Sequence, residues 1–283
     1  MNKSPRLVAL ETLYSIFYDG SYSNIALDKA LSEIKENKAF ISALVYGVTE
    51  RKITLDYFVD KYAQGRIKPK VRIVLWLGAY QLLFMDKVPS SASINESVKL
   101  VKEIKQDYYS KLVNAVLHKI DNDRQIPDDL SVKYSVPENL INMWKKQYGE
   151  DVLNGFLPCI NDKPPLFAIP NKKFVNSDEL LYELECDGIL GEAYDEFVLI
   201  ENANDLTDSK AFKNGLFYIE DLSSFNCANA LDALGDDLVL DMCSAPGGKA
   251  FTISQSMNNS GKIYCYDLHE HRLNLIKNGA KRL

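Results

Sequence analysis

Apolar side chains recur every three to four residues through the first 120 positions of this 283-residue chain, and no stretch there alternates as a strand would. Ser4 followed by Pro5 reads as an N-cap with proline at the first helical position, and Leu7, Leu10, Tyr14 and Phe17 then continue at helical spacing until Gly20. The same period runs through residues 25–34, 39–48, 55–62 and 71–85. Ser93 with Glu96 reads as a capping box opening another helix, and residues 109–120 form a last one. Residues 1–122 are therefore expected to be an all-helical bundle. The run IVLWLGAYQLLFM (residues 73–85) is shorter than the roughly 20 residues of a membrane span, and Gln81 interrupts it. It reads as a buried helix, with Trp76 and Tyr80 in the core rather than on a base-stacking platform.

Residues 122–137 are polar and carry two prolines, which predicts a linker ahead of a helix beginning near Pro137 and bearing Leu140, Met143, Trp144 and Tyr148. A strand is expected at LFAIP (residues 166–170). Asn176 with Glu179 forms a capping box for a helix reaching Cys186 and closed by Gly188, and further strands are expected at 197–200 and 216–219. From residue 237 the pattern becomes a buried strand, Leu-Val-Leu-Asp, then a Gly-rich turn, a helix, a second strand at 262–266 and another helical start. That is a β-α-β unit. The expected domains are 1–122, all-helical; 123–230, a linker helix and small α+β region; and 231–283, the start of an α/β domain. One such unit cannot cover both faces of a parallel sheet, so this last domain is expected to be incomplete.

With 46% apolar and 25% charged residues the chain is neither disordered nor fibrous. Five cysteines, at 159, 186, 227, 243 and 265, are odd in number and show no C-x-x-C or Cys/His pairing, so neither a disulfide framework nor a metal site is expected. Their apolar or strand-like surroundings read as core, and Cys243 as a small packing residue. Glu11 interrupts the first apolar stretch and no small-residue cleavage site follows, so a cytoplasmic protein without membrane attachment is expected. A monomer is the default. Residues 1–120 carry 18 Lys and Arg against 12 Asp and Glu, and the remainder 15 against 27. A basic half suits a polyanion; Arg51, Lys52, Arg66, Lys68, Lys70 and Arg72 are its candidate phosphate contacts, with a plain solvated surface as the other reading.

The chemistry sits in Asp241-Met242-Cys243-Ser244-Ala245-Pro246-Gly247-Gly248-Lys249. Small residues after a strand admit a ligand close to the backbone, and the amides opening the next helix can face an anion. No Gly lies five residues before Gly248, and Ala250 rather than Ser or Thr follows Lys249, which excludes a P-loop; the three glycines of the dinucleotide fingerprint are absent too. Asp267, ending the next strand, suits ribose hydroxyls, so adenosine without a phosphate chain is the expected ligand.

This motif resembles the S-adenosylmethionine loop of the Sun-type RNA cytosine-C5 methyltransferases, Asp-x-Cys-Ala-Ala-Pro-Gly-Gly-Lys. Leu44-Val45-Tyr46-Gly47-Val48, the stretch from Leu75 to Phe84, and Lys111-Leu112-Val113-Asn114-Ala115-Val116-Leu117 resemble the NusB-like domain of its RsmB/Sun/Fmu branch, which acts on small-subunit ribosomal RNA. Pro164-Pro165-Leu166, Asn171, Lys173 and Tyr218-Ile219-Glu220-Asp221 resemble that branch's middle RNA-binding region, with Glu220 standing where Gln is usual. The resemblance implies a NusB-like bundle, a small α+β RNA-binding region and the incomplete start of a Rossmann-like methyltransferase domain. It implies S-adenosyl-L-methionine as cofactor, held by Cys243, Ser244, Ala245, Pro246, Gly247, Gly248 and Lys249, with Asp267 on the ribose and Arg272 as a further contact. The branch's two working cysteines belong to Pro-Cys and Thr-Cys motifs on later strand ends. The resemblance therefore implies a chain truncated at its C-terminus, with no nucleophile among residues 1–283 and little activity alone. The alternative is a catalytically inactive RNA-binding or antitermination-like module that works through its NusB-like domain.

Overall fold

The computed structural model describes residues 3–202, 206–258 and 260–283, and the chain divides into two compact units, Met1–Asp162 and Lys163–Leu283. The first unit is helical: α1 Pro5–Tyr18, α2 Ser23–Ser32, α3 Lys38–Glu50, α4 Lys52–Tyr62, α5 Pro69–Phe84, α6 Ser90–Glu103, α7 Ser110–Asn122, α8 Leu130–Tyr134, α9 Glu138–Tyr148 and α10 Glu150–Phe156. Ser4 caps α1 as expected, its hydroxyl accepting from the Leu7 amide, an arrangement that stabilises a helix by about 1 kcal/mol. Apolar residues circle α5 completely, so it occupies the middle of the bundle, with α1, α3, α4, α6 and α7 packed around it. Trp76 is buried there, and its indole N–H donates to Asp56 Oδ1 at 2.9 Å.

Two glycines set how closely these helices approach. A Cβ on Gly47 would lie 1.9 Å from the Tyr80 ring, and one on Gly78 would lie 2.6–2.9 Å from the Leu117 methyls and Ser97 Oγ. The crowding at Gly78 also explains a difference from the sequence-based expectation at Ser93. The α6 helix starts one turn earlier, at Ser90 after Pro89, and Ser93 is buried with its hydroxyl donating to the Gly78 carbonyl at 3.1 Å. A serine that reads as a cap is instead a small polar residue at a tight helix crossing.

The expected linker is also partly structured. Asp129 caps α8, Thr54 donates to the Val132 carbonyl at 2.5 Å, and Ser135 Oγ accepts from the Ile53 amide at 3.0 Å. These bonds attach residues 130–135 to the start of α4 within the first unit. Ile141 and Leu153, from α9 and α10, then close a small cluster with Val136 and Leu157.

In the second unit β1 Leu166–Pro170, β2 Gly191–Tyr194, β3 Phe197–Ile200 and β4 Phe217–Ile219 form an antiparallel sheet in the order β2-β3-β1-β4. The strand β2 reads GEAY and carries little apolar signal, so only its pairing with β3 reveals it. Leu180 and Leu184 of α11 Ser177–Cys186 cover one face with Ala168, Val198 and Phe217; the capping box of Asn176 and Glu179 opens that helix as expected. Further on, α12 Lys210–Lys213 precedes β4, and α13 Leu222–Asn229 precedes a parallel pair, β5 Leu238–Asp241 and β6 Lys262–Cys265, connected through α14 Gly248–Ser256 and followed by α15 Glu270–Arg282. Val239 and Ile263 face the α13 and α14 side chains Ala228, Ile253 and Met257, whereas Leu238 and Leu240 on the opposite face are 70% and 58% exposed. The partial α/β region thus has the uncovered face that a single β-α-β unit entails.

The end of α15 is fastened to the antiparallel sheet. Arg282 Nη1 donates to the Phe212 and Phe217 carbonyls, each at 2.8 Å, and its guanidinium lies 3.7 Å from the Phe212 ring centroid. Asn171 Nδ2 adds bonds to the Gly215 and Leu283 carbonyls. Among the described residues no helix is long and apolar enough to cross a membrane. Gly78→Ala should destabilise the chain by about 1–3 kcal/mol, because overpacking outweighs the roughly 1 kcal/mol that alanine gains in helix propensity. A lower urea midpoint at unchanged slope is the expected result; an unchanged midpoint would mean that Leu117 and Ser97 yield to the added methyl.

Candidate functional site

The site is built at the carboxyl ends of β5 and β6. Parallel pairing sets Asp241 opposite Cys265, so the two chains leave the sheet side by side. Beyond the last pair the Tyr266 amide donates to the Asp241 carbonyl and the Ser244 amide to the Tyr266 carbonyl, both at 2.8 Å. The loop from Met242 to Gly247 then runs beside residues 266 and 267. It contains a cis peptide between Ala245 and Pro246 and enters α14 through Gly247, whose φ of +115° lies in the region that glycine tolerates best.

Asp267 ties these strands of chain together. Its Oδ2 accepts from the Ala245 amide at 3.2 Å, its Oδ1 from the His269 amide at 3.1 Å, and Arg272 Nη1 lies 3.6 Å from Oδ2. The His269 amide, followed by the Ala245 amide and the Arg272 charge, holds this carboxyl below the usual aspartate range even though its side chain is only 5% exposed. It is ionised at any physiological pH. Arg272 Nη2 donates to the Ala245 carbonyl at 3.1 Å, so this arginine secures the loop from the first turn of α15. Asp241 Oδ1 accepts from the Cys243 amide at 3.2 Å.

The loop rests on a second polar group that the motif does not reveal. Glu220, between β4 and α13, is 8% exposed, and its Oε1 is close enough to Gly248 that a Cβ there would sit 2.8 Å away. Its Oε2 accepts from Thr252 Oγ1 at 2.6 Å, and that hydroxyl also bonds the Tyr218 phenol at 2.8 Å. Burial pushes the Glu220 carboxyl up, against the lowering effects of the Thr252 hydrogen bond and the Lys249 charge; burial also raises the Tyr218 phenol. Glu220 marks itself in the sequence only as a departure from the resembling family's usual Gln. Tyr218 and Thr252 look like ordinary strand and helix residues.

Of the motif residues, Ser244 and Gly247 are buried, Ala245 and Gly248 half-buried, and Cys243, Pro246 and Lys249 exposed. Lys249 donates to Ser224 Oγ at 3.4 Å. Ser244 Oγ is buried without a hydrogen-bond partner among the described residues. A cavity of about 260 Å³ lies elsewhere, lined by Ala250, Phe251, Ile263, Ile276 and neighbours and by none of the motif residues.

The cysteines differ from their expected placement. Cys159, Cys186, Cys227 and Cys243 are exposed and Cys265 is half-buried. Helix phase explains two of them: α11 buries Leu180 and Leu184, which turns Cys186 outward, and α13 buries Phe225 and Ala228, which does the same for Cys227. Cys243 lies on the open side of the loop. Among the described residues no group of three His, Cys, Asp or Glu side chains could hold a metal ion.

Some expected phosphate contacts are engaged within the protein. Arg72 is paired with Asp56 and Asp60, Lys52 with Asp56, and the Arg51 guanidinium lies 4.9 Å from the Phe84 ring centroid. Arg66, Lys68 and Lys70 remain exposed.

Comparison with known proteins places this geometry. Residues 3–122 match the NusB family, and residues 228–283 match the 16S rRNA methyltransferase RsmB/F family. Along 99% of its length the chain is 32% identical to the probable ribosomal RNA small subunit methyltransferase B of Bacillus subtilis (strain 168) and 28% identical to its counterpart in a Synechocystis species. The chain belongs to the RsmB/F family, with a NusB domain at its N-terminus. It covers 66% and 67% of those two relatives, about two thirds of their length. The crystal structure of PH0851 shares the fold of this RsmB/F chain at TM-score 0.72 and 22% identity, over 100% of this chain and 68% of that one.

Glu220 gives this RsmB/F member a pH signature. A carboxyl with a raised folded pKa binds more protons folded than unfolded, so stability falls as pH rises from about 4.3 through the raised value. Glu220→Gln should remove that fall. Thermal melts at closely spaced pH values check it: the variant's melting temperature should gain on the parent's as pH rises through that window, and parallel curves would mean that Glu220 titrates normally.

Proposed function

We propose that this chain binds S-adenosyl-L-methionine in the loop formed by Cys243, Ser244, Ala245, Pro246, Gly247, Gly248 and Lys249, and serves methylation of carbon 5 of a cytosine in small-subunit ribosomal RNA. The observation that carries the reading is the ionised Asp267 carboxylate drawn against the loop at the strand ends. Each of its oxygens accepts one backbone amide, which leaves lone pairs for the hydroxyls of a ribose. The donor set fits the cofactor in two further respects. The backbone amides opening α14 suit a carboxylate, and the Ser244 hydroxyl is a buried group with no partner among the described residues.

The bound cofactor would supply an electrophilic methyl group on a sulfonium. The chain's own residues orient it: Asp267 fixes the ribose, Arg272 and Asp267 hold the Ala245 peptide, and Glu220 and Thr252 support the start of α14. Carbon 5 of cytosine is a poor nucleophile until a thiolate adds to carbon 6; once carbon 5 carries the methyl group, a base would remove its proton and the thiolate would leave. We assign that thiolate to none of the five cysteines described above. Cys243 contributes its place in the loop, with its amide bonded to Asp241.

Calorimetric titration of S-adenosylmethionine into the chain tests the reading. Binding is expected, and Asp267→Ala should weaken it by about 10- to 150-fold, the worth of one hydrogen bond to a charged group. Tight binding to a variant with unchanged circular dichroism would overturn the ribose role. The NusB family match favours a second reading, an RNA-binding module without turnover. Retained RNA affinity with no cofactor binding at all is the result that would select it.

A further inference from the structure

Tyr108 is 92% exposed, on a 3-10 turn, Asp107–Tyr109, between α6 and α7. Exposing a whole phenol ring leaves its apolar faces in water, and nothing in the helical core requires it. The ring is nonetheless supported. Tyr109 meets it edge to face, with centroids 5.4 Å apart and planes at 90°. Lys68 Nζ lies 6.0 Å from the Tyr109 centroid and donates to Gln106 Oε1 at 3.0 Å. Two residues further on, Lys70 Nζ lies 5.3 Å from the ring of Tyr14, which stacks on the half-exposed Tyr18 at 5.1 Å.

Exposed lysines without an ion pair among the described residues occur throughout the helical unit, Lys29, Lys35, Lys38, Lys87, Lys102, Lys119 and Lys146 included. Lys3, Lys52, Lys61, Arg72 and Lys99 are each engaged with carboxylates. Arg66, Lys68, Lys70, Lys105 and Lys111 are exposed and make no ion pair among the described residues; the acids nearest in sequence are Asp60 for the first three and Glu103 and Asp107 for the last two. What sets this turn apart is that two of these cations, Lys68 and Lys70, lie over tyrosine rings.

We propose that this face of the helical unit takes up a single-stranded RNA segment, with an unpaired base stacking on Tyr108 and flanking phosphates meeting Arg66, Lys68 and Lys70. The inference rests on the RNA-directed function proposed above and adds the subsite and the form of RNA. Stacking needs a base whose face is open, which a duplex does not offer to a lone protruding ring, while exposed cations beside the turn suit a backbone running past it. Unneutralised lysines would disfavour an apolar protein partner at the same place.

The test is fluorescence anisotropy of a fluorescein-labelled, unstructured 12-nucleotide RNA titrated with the full chain, repeated at several salt concentrations and with a blunt duplex of the same strand. Tyr108→Ala should weaken single-strand binding by roughly 5- to 150-fold with an unchanged salt slope, Tyr108→Trp should preserve it, and duplex binding should not respond. Lys68→Glu with Lys70→Glu should reduce the log-log salt slope by about 1.4, two phosphates' worth for a single strand. Tyr108 fills no cavity, so its loss has no folding route to the same result. Equal affinity of Tyr108→Ala and parent, an equal loss on the duplex, or no binding of the single strand by the parent would each overturn the proposal. Titrating S-adenosylmethionine into the same variants separates the two readings: unchanged cofactor binding is expected throughout, and its absence from the parent would sink the cofactor reading while leaving the Tyr108 result to stand or fall alone.

Discussion

A loop made of Cys, Ser, Ala, Pro and two glycines has no side chains large enough to hold its own shape, so the shape must be imposed from outside. Asp267 imposes it. One carboxylate accepts from the Ala245 and His269 amides and faces Arg272, which in turn grips the Ala245 carbonyl. The same group that would meet a ribose therefore also defines the peptide planes around the ligand. This economy is possible because a carboxylate offers about four acceptor positions and the backbone uses two.

Most of the architecture is legible in the sequence because it depends on local rules. Helical period, the Ser4 and Asn176 caps, and the strand–turn–helix around residues 238–249 all emerge where spacing predicts them. What escapes is what depends on residues distant in sequence. Ser93 reads as a cap because Glu96 stands three positions further on, but the glycine across the helix crossing decides its role. The β2 strand has almost no apolar signal and exists through its pairing with β3. The exposure of Cys186 and Cys227 follows from helix phase, which a local count of apolar neighbours does not register.

The candidate site divides in the same way. Its motif loop and Asp267 are visible as a contiguous pattern and a strand-end acid. Tyr218 in β4 and Glu220 just after it meet Thr252 only when α14 is packed against them. The basic residues show the converse limit: sequence counts the charges but not their partners. Arg72 is bound to two aspartates and Lys52 to one of them, while Lys68 and Lys70 reach toward aromatic rings. Net charge on a segment is thus a poor measure of the charge it can offer a polyanion.

The fastening of α15 has a mechanical consequence. Arg272, in its first turn, holds the loop peptide, and Arg282, at its end, holds two carbonyls of the antiparallel sheet region. A 13-residue helix is about 20 Å long and stiff along its axis. It therefore acts as a strut between the sheet and the loop: a tilt of the sheet large enough to shift Phe212 and Phe217 is transmitted along α15 to the Ala245 carbonyl, and a displacement of that peptide is felt at the sheet.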